Sequence, residues 1–465
     1  MKPALSRQPL PADTPHVPVV IVGAGACGLT AALALSRMEV PCLLLERDEW
    51  AQGSTALSSG FIPACGTLTQ KAHGIEDSPE LFVQDIQAKA QGLADPDLAQ
   101  AYARHIGPAL DELQQHHGLV WHVLDDFLYP GHSVHRMHAV PERTGAGLMQ
   151  RLMKAANEAG VDVLTQAYAR VLHWDDAQGV KGVGFVRPDG TLEHVACDVL
   201  LLACNGFGGN PQRVARHLPE MAQAIYGGHV GNDGTALDWG DLIGADQADL
   251  GAYQGHGSWA VPQGGLVTWA LMMEGGVQIN ALGQRFHDET QGYSEAAVEV
   301  LAQPGSQAWC VFDDPILTLA QNFPDFVALK EVGAVRSFDH SNELAAWIGC
   351  DPQILNQTLQ NVQPGSDPLT GRTFKRPLTW PLHALRVTGA LFHTQGGLRV
   401  DAQARVLRKD GTAFPNLFAG GGAARGVSGT SVWGYLSGNG LLSAVASGRM
   451  MALGAVDTWK QRARS

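Results

Sequence analysis

The feature that most constrains this chain is Gly23-x-Gly25-x-x-Gly28, which directly follows the apolar, β-branched run Val17–Val22 and opens a helical stretch, Leu29 to Met38. A second buried strand, 41–46, comes next, so strand, glycine turn, helix and strand form one βαβ unit. In such a turn the first glycine permits the tight bend and the second lets a pyrophosphate approach the backbone. The third lets helix and strand pack closely, and the phosphates face the helix N-terminus. Glu46 ends the second strand eighteen residues after Gly28 (46 − 28), where a carboxylate accepts hydrogen bonds from both ribose hydroxyls and disfavours a 2′-phosphate. The combination predicts a dinucleotide site.

At 465 residues the chain exceeds one ordinary domain, and its 45% hydrophobic content supports a substantial core. The net charge of −13 argues against a nucleic-acid binder, which needs excess Lys and Arg. No stretch of eighteen apolar residues occurs, so no membrane-spanning helix is expected. Residues 1 to about 15 read as a loose, proline-broken tail with neither an apolar signal core nor twin arginines, which predicts a cytoplasmic protein. Seven scattered cysteines form no CxxC and no zinc spacing, so reduced, buried thiols are expected.

Helical periodicity runs through 76–118 and 141–160, and strands are expected at 161–174, 180–186, 191–195 and 199–204. Between 251 and 380 the pattern is mixed and tryptophan-bearing, without a second βαβ unit. This predicts a dinucleotide domain over 16–250 and 381–465, interrupted by a substrate domain over 251–380. A last helix is read from Leu441 to Leu453.

Several loops carry further chemistry. Gly53-Ser54-Thr55-Ala56-Leu57-Ser58-Ser59-Gly60 supplies small hydroxyl residues able to line a pyrophosphate and the edge of a flat ring, which a nicotinamide enzyme does not need. Gly420-Gly421-Gly422 follows a strand, and Ser437-Gly438-Asn439-Gly440 opens the last helix, whose N-terminus would stabilise negative charge on a reduced flavin. His132, His135 and His138 lie within seven positions, but their spacing and the absence of a neighbouring acid favour a loop over a metal site; no metal is expected. Tyr253, His256, Trp259 and Trp269 are read as pocket walls, with core packing the plain alternative.

GAGACG with Glu46, GSTALSSG, LLLACNGFGGN, GNDGTAL, NALGQRFHDE, HTQGGLRVD and NLFAGGGAARG together resemble the flavoprotein family of fumarate reductases, succinate dehydrogenase flavoprotein subunits and 3-ketosteroid Δ1-dehydrogenases. The resemblance covers Val17 to about Leu453. It implies an α/β fold, a glutathione-reductase-like (Rossmann-type) FAD domain with an inserted α+β capping domain, and non-covalent FAD. The cofactor residues it implies are Gly23, Gly25, Gly28, Glu46, Arg47, Ser54, Thr55, Ser59, Gly60, Asp233, Gly421, Gly422, Asn439 and Leu441. Gly422 stands where many members carry a ribityl-binding acid.

The resemblance also separates branches. Dicarboxylate reductases place a proton-donating arginine four residues beyond the Glu of RFxNE, whereas Glu289 is followed at that spacing by Tyr293. Their relay Glu and Arg fall on Trp269 and Met272, their C-terminal substrate arginine is absent from 427–433, and His393 alone survives of that set. A site without those charges does not repay the desolvation of two carboxylates. The ketosteroid branch carries the tyrosine found at 293, which takes part in α-proton removal, and Tyr435 with the Gly438 N–H are its candidates for holding the ketone oxygen. A half-buried core tyrosine is the alternative for Tyr293, and a structural hydrogen bond for His393.

The expected function is therefore FAD-dependent α,β-dehydrogenation of an apolar, cyclic ketone such as a 3-ketosteroid or cyclohexanone. The alternative is an ene-reductase acting on an activated alkene, and a third reading is a flavin-binding or electron-transfer protein without turnover. Expected partners are a small ketone or enone and an external electron acceptor: quinone, carrier protein or oxygen.

Overall fold

The structure is a computed structural model that describes residues 2–125 and 127–464. Its chain divides into two units. The first comprises the chain up to His217, Gly228–Tyr253 and His393 onward; the second comprises Leu218–Gly227 and Gln254–Phe392.

In the first unit a nine-stranded sheet holds His16–Val22 at its centre, between Leu192–Leu202 and Cys42–Leu45, all parallel. Val19, Val20 and Ile21 are wholly buried, as expected of a parallel strand covered on both faces. Helix Ala26–Arg37 packs against the last helix, Asn439–Arg462, so tightly that a Cβ on Gly448 would lie 2.5 Å from the Cys27 carbonyl oxygen. That last helix starts two residues before, and ends nine after, its expected limits. Gly454 does not stop it, because the missing side chain makes room for the Phe418 ring.

Three sequence expectations change here. Ala4–Ser6, read as part of a loose tail, is an edge strand parallel to Val171–His173; three residues are too few to show a period, and the open sheet edge recruits them. The strands expected at 191–195 and 199–204 are one strand, Leu192–Leu202. Its first half pairs antiparallel with Gly182–Val186 and its second half parallel with His16–Val22, so one segment carries two hydrophobic patterns. Residues 381–392, assigned on sequence to the dinucleotide domain, belong to the second unit, because Leu382–Thr394 is one long strand through that unit's sheet.

In the second unit Leu382–Thr394 pairs with Gln307–Asp313, Arg336–Phe338 and Ile225–Tyr226, which explains why Leu218–Gly227 joins it. Two hydrophobic clusters fill this unit, one around Phe312, Phe326 and Leu385 and one around Val311, Leu344 and Leu355. Among the described residues no helix is long and apolar enough to cross a membrane.

Candidate active site

The glycine turn has the geometry its sequence predicts. Gly23 has φ +105 and donates its N–H to the Leu45 carbonyl, tying the turn to the neighbouring strand. A methyl on Gly28 would overlap the Gly23 carbonyl oxygen. Gly25 is the helix N-cap and offers no side-chain cap, and the first turn contains no acid, so the positive end of the helix has no anion of its own. Glu46 is buried, and its carboxylate accepts from the Ala24 and Asp48 N–H groups at 3.0 Å.

The hydroxyl loop folds back onto this turn. Thr55 Oγ1 accepts the Ala26 N–H at 3.2 Å, while Ser54 Oγ accepts from the His229 N–H and Asn232 Nδ2. Gly60, at φ +73, lies so close to the Thr144 carbonyl that a Cβ would meet it at 2.6 Å. Ser59 is half-buried beside it. Arg47 reaches across the Tyr168 ring, 5.1 Å from its centroid, and Gly231 leaves room for its guanidinium. Asp233 is a local keystone: its carboxylate accepts from Tyr168 Oη and Arg170 Nη2, both at 2.6 Å, and from Thr235 N and Oγ1 at the start of helix Thr235–Ile243.

At the other end, Gly421 has φ +55 and donates its N–H to Ser447 Oγ, and Gly422 lies against the Asn205 side chain with no room for a Cβ. Asn439, wholly buried in the first turn of the last helix, donates through Nδ2 to Ser428, while its Oδ1 has no protein partner. Leu441, in the same turn, is half-buried. A glycine-lined cradle, a first helical turn without an acid of its own and a buried orphan carbonyl oxygen fit FAD: Gly23–Gly28 would take the pyrophosphate, Glu46 the ribose, and Asn439 Oδ1 would accept from a ring N–H.

Beside Asn439 three groups converge. Gly440 N–H donates to Tyr435 Oη at 3.5 Å, and His393 Nε2 lies 3.5 Å from the same oxygen. Gly440 needs to be glycine here, because a Cβ would sit 2.5 Å from His393 Nε2. Burial holds His393 down at about 4, so its ring is neutral although part of its surface stays open. The backbone N–H that donates to Tyr435 is that of Gly440. Gly438 is the helix N-cap at φ +86, packed on Pro63, and the first-turn N–H that reaches the phenol belongs to the residue two further on.

Tyr293 and the RFHDE segment lie in the second unit. Tyr293 is half-buried, begins helix Tyr293–Leu301 and stacks on His256 with centroids 4.8 Å apart. Burial pushes His256 down to about 3, and its ring also meets Trp269 and Phe392 edge-on, the latter shared with Trp259. Glu289 is structural: it accepts from Arg285, Arg372 and the Gln278 N–H, and Trp269 Nε1 donates to its backbone carbonyl. The histidines of 132–138 serve the first unit's packing. His132 contacts the Ser437 carbonyl and His138 contacts Thr67, and no metal-binding cluster occurs among the described residues.

The family model described as FAD binding domain matches residues 18–441. Fumarate reductase (cytochrome) from Shewanella frigidimarina is 29% identical over 458 residues, covering 96% of this chain and 78% of that protein. The open conformation of a flavocytochrome c3 fumarate reductase superposes with a TM-score of 0.82 at 25% identity, covering 96% of this chain and 79% of that one. A 3-ketosteroid-Δ4-(5α)-dehydrogenase from Rhodococcus jostii, in complex with 4-androstene-3,17-dione, shares the fold at TM-score 0.77 and 24% identity, with 98% and 99% covered. The family model spans most of the chain, which therefore belongs to the FAD binding domain family and is an FAD-dependent oxidoreductase of the CH–CH class.

Proposed function

We propose that the protein desaturates an apolar, cyclic ketone between its α and β carbons. The observation that carries this reading is the neutral donor cluster of Tyr435, the Gly440 N–H and His393. The only Arg or Lys between residues 420 and 441 is Arg425, and it is held by Asp95 and Asp249. Neutral donors beside one another suit a single carbonyl oxygen, and each stabilises a developing enolate by about 3 kcal/mol. Two carboxylates would need cations instead.

In this reading Tyr435 and Gly440 hold the ketone oxygen; removal of the α-proton is assigned to Tyr293 from its place four residues after Glu289 alone. Tyr293 is the first residue of its helix, where the macrodipole favours a phenolate. Bound FAD supplies the hydride acceptor. Electrons leave to a quinone, a carrier protein or oxygen, and a cytoplasmic location belongs to the same proposal. Reduction of an activated alkene is the second reading, supported by the similarity to the Shewanella fumarate reductase.

The test is flavin absorbance of the anaerobic holoenzyme. Bleaching by cyclohexanone or a saturated 3-ketosteroid, but not by succinate, is expected. Reoxidation of the pre-reduced enzyme by enones or fumarate, without bleaching by ketones, transfers the assignment to the second reading. Bleaching by succinate alone refutes the argument from charge.

A further inference from the structure

Behind His393 runs a buried line of polar side chains that the donor cluster does not itself explain. Asn439 Nδ2 donates to Ser428 Oγ at 2.9 Å, Ser428 Oγ donates to Gln395 Oε1 at 2.8 Å, and Gln395 Nε2 lies 3.3 Å from His393 Nδ1. Gln395 is 3%, Ser428 2% and Asn439 0% exposed, so no solvent hydrogen bond competes. A Cβ on Gly426 would lie 2.7 Å from Gln395 Oε1, so that glycine makes room for the amide.

A hydroxyl has one proton, so the direction of this line is fixed from one end. With the Asn439 amide donating to Ser428, the serine proton goes to Gln395 Oε1. The glutamine NH2 then faces His393, and Nδ1 must accept. The opposite direction would require Asn439 to present its NH2 where its oxygen now sits. Both buried N–H groups of its amide would then lack an acceptor, where now one does and one carbonyl oxygen lacks a donor; an unpaired N–H is the rarer and costlier defect. They would also point a donor into the positive N-terminus of the last helix. The Thr394 carbonyl, 3.3 Å from the same Nδ1, asks for the other tautomer but acts alone, without a buried network behind it.

We propose that Asn439, Ser428 and Gln395 are positioning residues that lock His393 as its Nε2–H tautomer, making it a third hydrogen-bond donor, beside Tyr435 and Gly440, to the substrate carbonyl oxygen. This rests on the ketone reading of the donor cluster, while the tautomer itself does not. The lock makes His393 a donor and removes it as a base, leaving proton abstraction to another group.

The experiment is long-range 1H–15N correlation NMR of the flavin-loaded enzyme with 15N-labelled histidine, the His393 signals being identified among 18 histidines by their loss in His393→Gln. The wild type is expected to show neutral His393 protonated on Nε2. Gln395→Glu offers Nδ1 an acceptor, so protonation should move to Nδ1, with kcat falling about 100-fold and KM little changed. A wild-type signal protonated on Nδ1 overturns the proposal, and that measurement stands even if the variant does not fold. An unmoved tautomer in Gln395→Glu overturns the role of Gln395. If His393 is Nε2–H but ketones are not turned over, the lock stands and the functional reading falls.

Discussion

Glu289→Gln isolates the charge of the RFHDE segment. The carboxylate is wholly buried. Oε1 accepts from the Gln278 N–H at 3.0 Å and Arg285 Nε at 3.1 Å, and Oε2 from Arg285 Nη2 and Arg372 Nη1, both at 2.7 Å. Glutamine keeps the shape but must put an NH2 at one of these positions, so donors face donors whichever way it turns. Burial pushes the acid up, yet Arg372 and Arg285 outweigh it and bring it from 4.5 to about 2. A difference of about 2.5 units corresponds to about 3 kcal/mol at neutral pH, similar to the cost of breaking a buried ion pair. Asp367, 2.9 Å from Arg285 Nη1, still pairs one of the two arginines, which keeps the loss from growing further. Calorimetry should show the second unit's transition about 6–12 °C lower, resolved from the first because two units need not melt together. The sign with pH is fixed. The wild-type advantage is complete above about 4.5 and shrinks as pH falls through about 2, where the acid itself is protonated. A loss below about 1 kcal/mol at neutral pH, or a deficit that widens in acid, would refute the reasoning.

Three further outcomes are expected. Tyr435→Phe should keep its flavin but lose about 100-fold in kcat; unchanged turnover removes the phenol from the reaction. Gly28→Ala places a methyl against the Gly23 carbonyl, so the purified protein should carry little flavin, measured as the ratio of flavin to protein absorbance. Burial lowers His132, His138, His173 and His393 to about 4 and His256 to about 3, all below the ordinary 6.5. The unfolded chain therefore binds more protons between those values, and stability is full above 6.5 and is lost as pH falls toward 4. Urea titrations at about pH 7 and about pH 5 check this, and equal midpoints contradict it.

What could be read from the residues alone was what depends on near neighbours. GAGACG announced itself because strand, turn and helix lie within a few residues, and Glu46 is placed by the strand that follows. Nothing local to RFHDE shows that Glu289 spends its charge on Arg372, 83 positions away. The boundary read near 380 follows Pro377 and Pro381, whereas the unit limit at Phe392 falls inside the strand Leu382–Thr394, where no breaker marks it. The line from Asn439 to His393 joins segments 33 and 11 residues apart, a spacing with no periodic signature.

The two units complete at different times during synthesis. Every segment of the second unit has been made once Phe392 is joined to the chain. The first unit still waits for Ala413–Ala419, which pairs with Leu200–Leu202, and for the last helix, which packs on Ala26–Arg37. On a ribosome the inserted unit is thus free to fold first, while the glycine turn stays without its helical backing until Asn439–Arg462 emerges. Nascent chains halted once Thr394, but not Ala413, has left the ribosome should therefore protect the second unit from protease and leave the first open. Flavin capture becomes a late event, set by the arrival of the C-terminal helix.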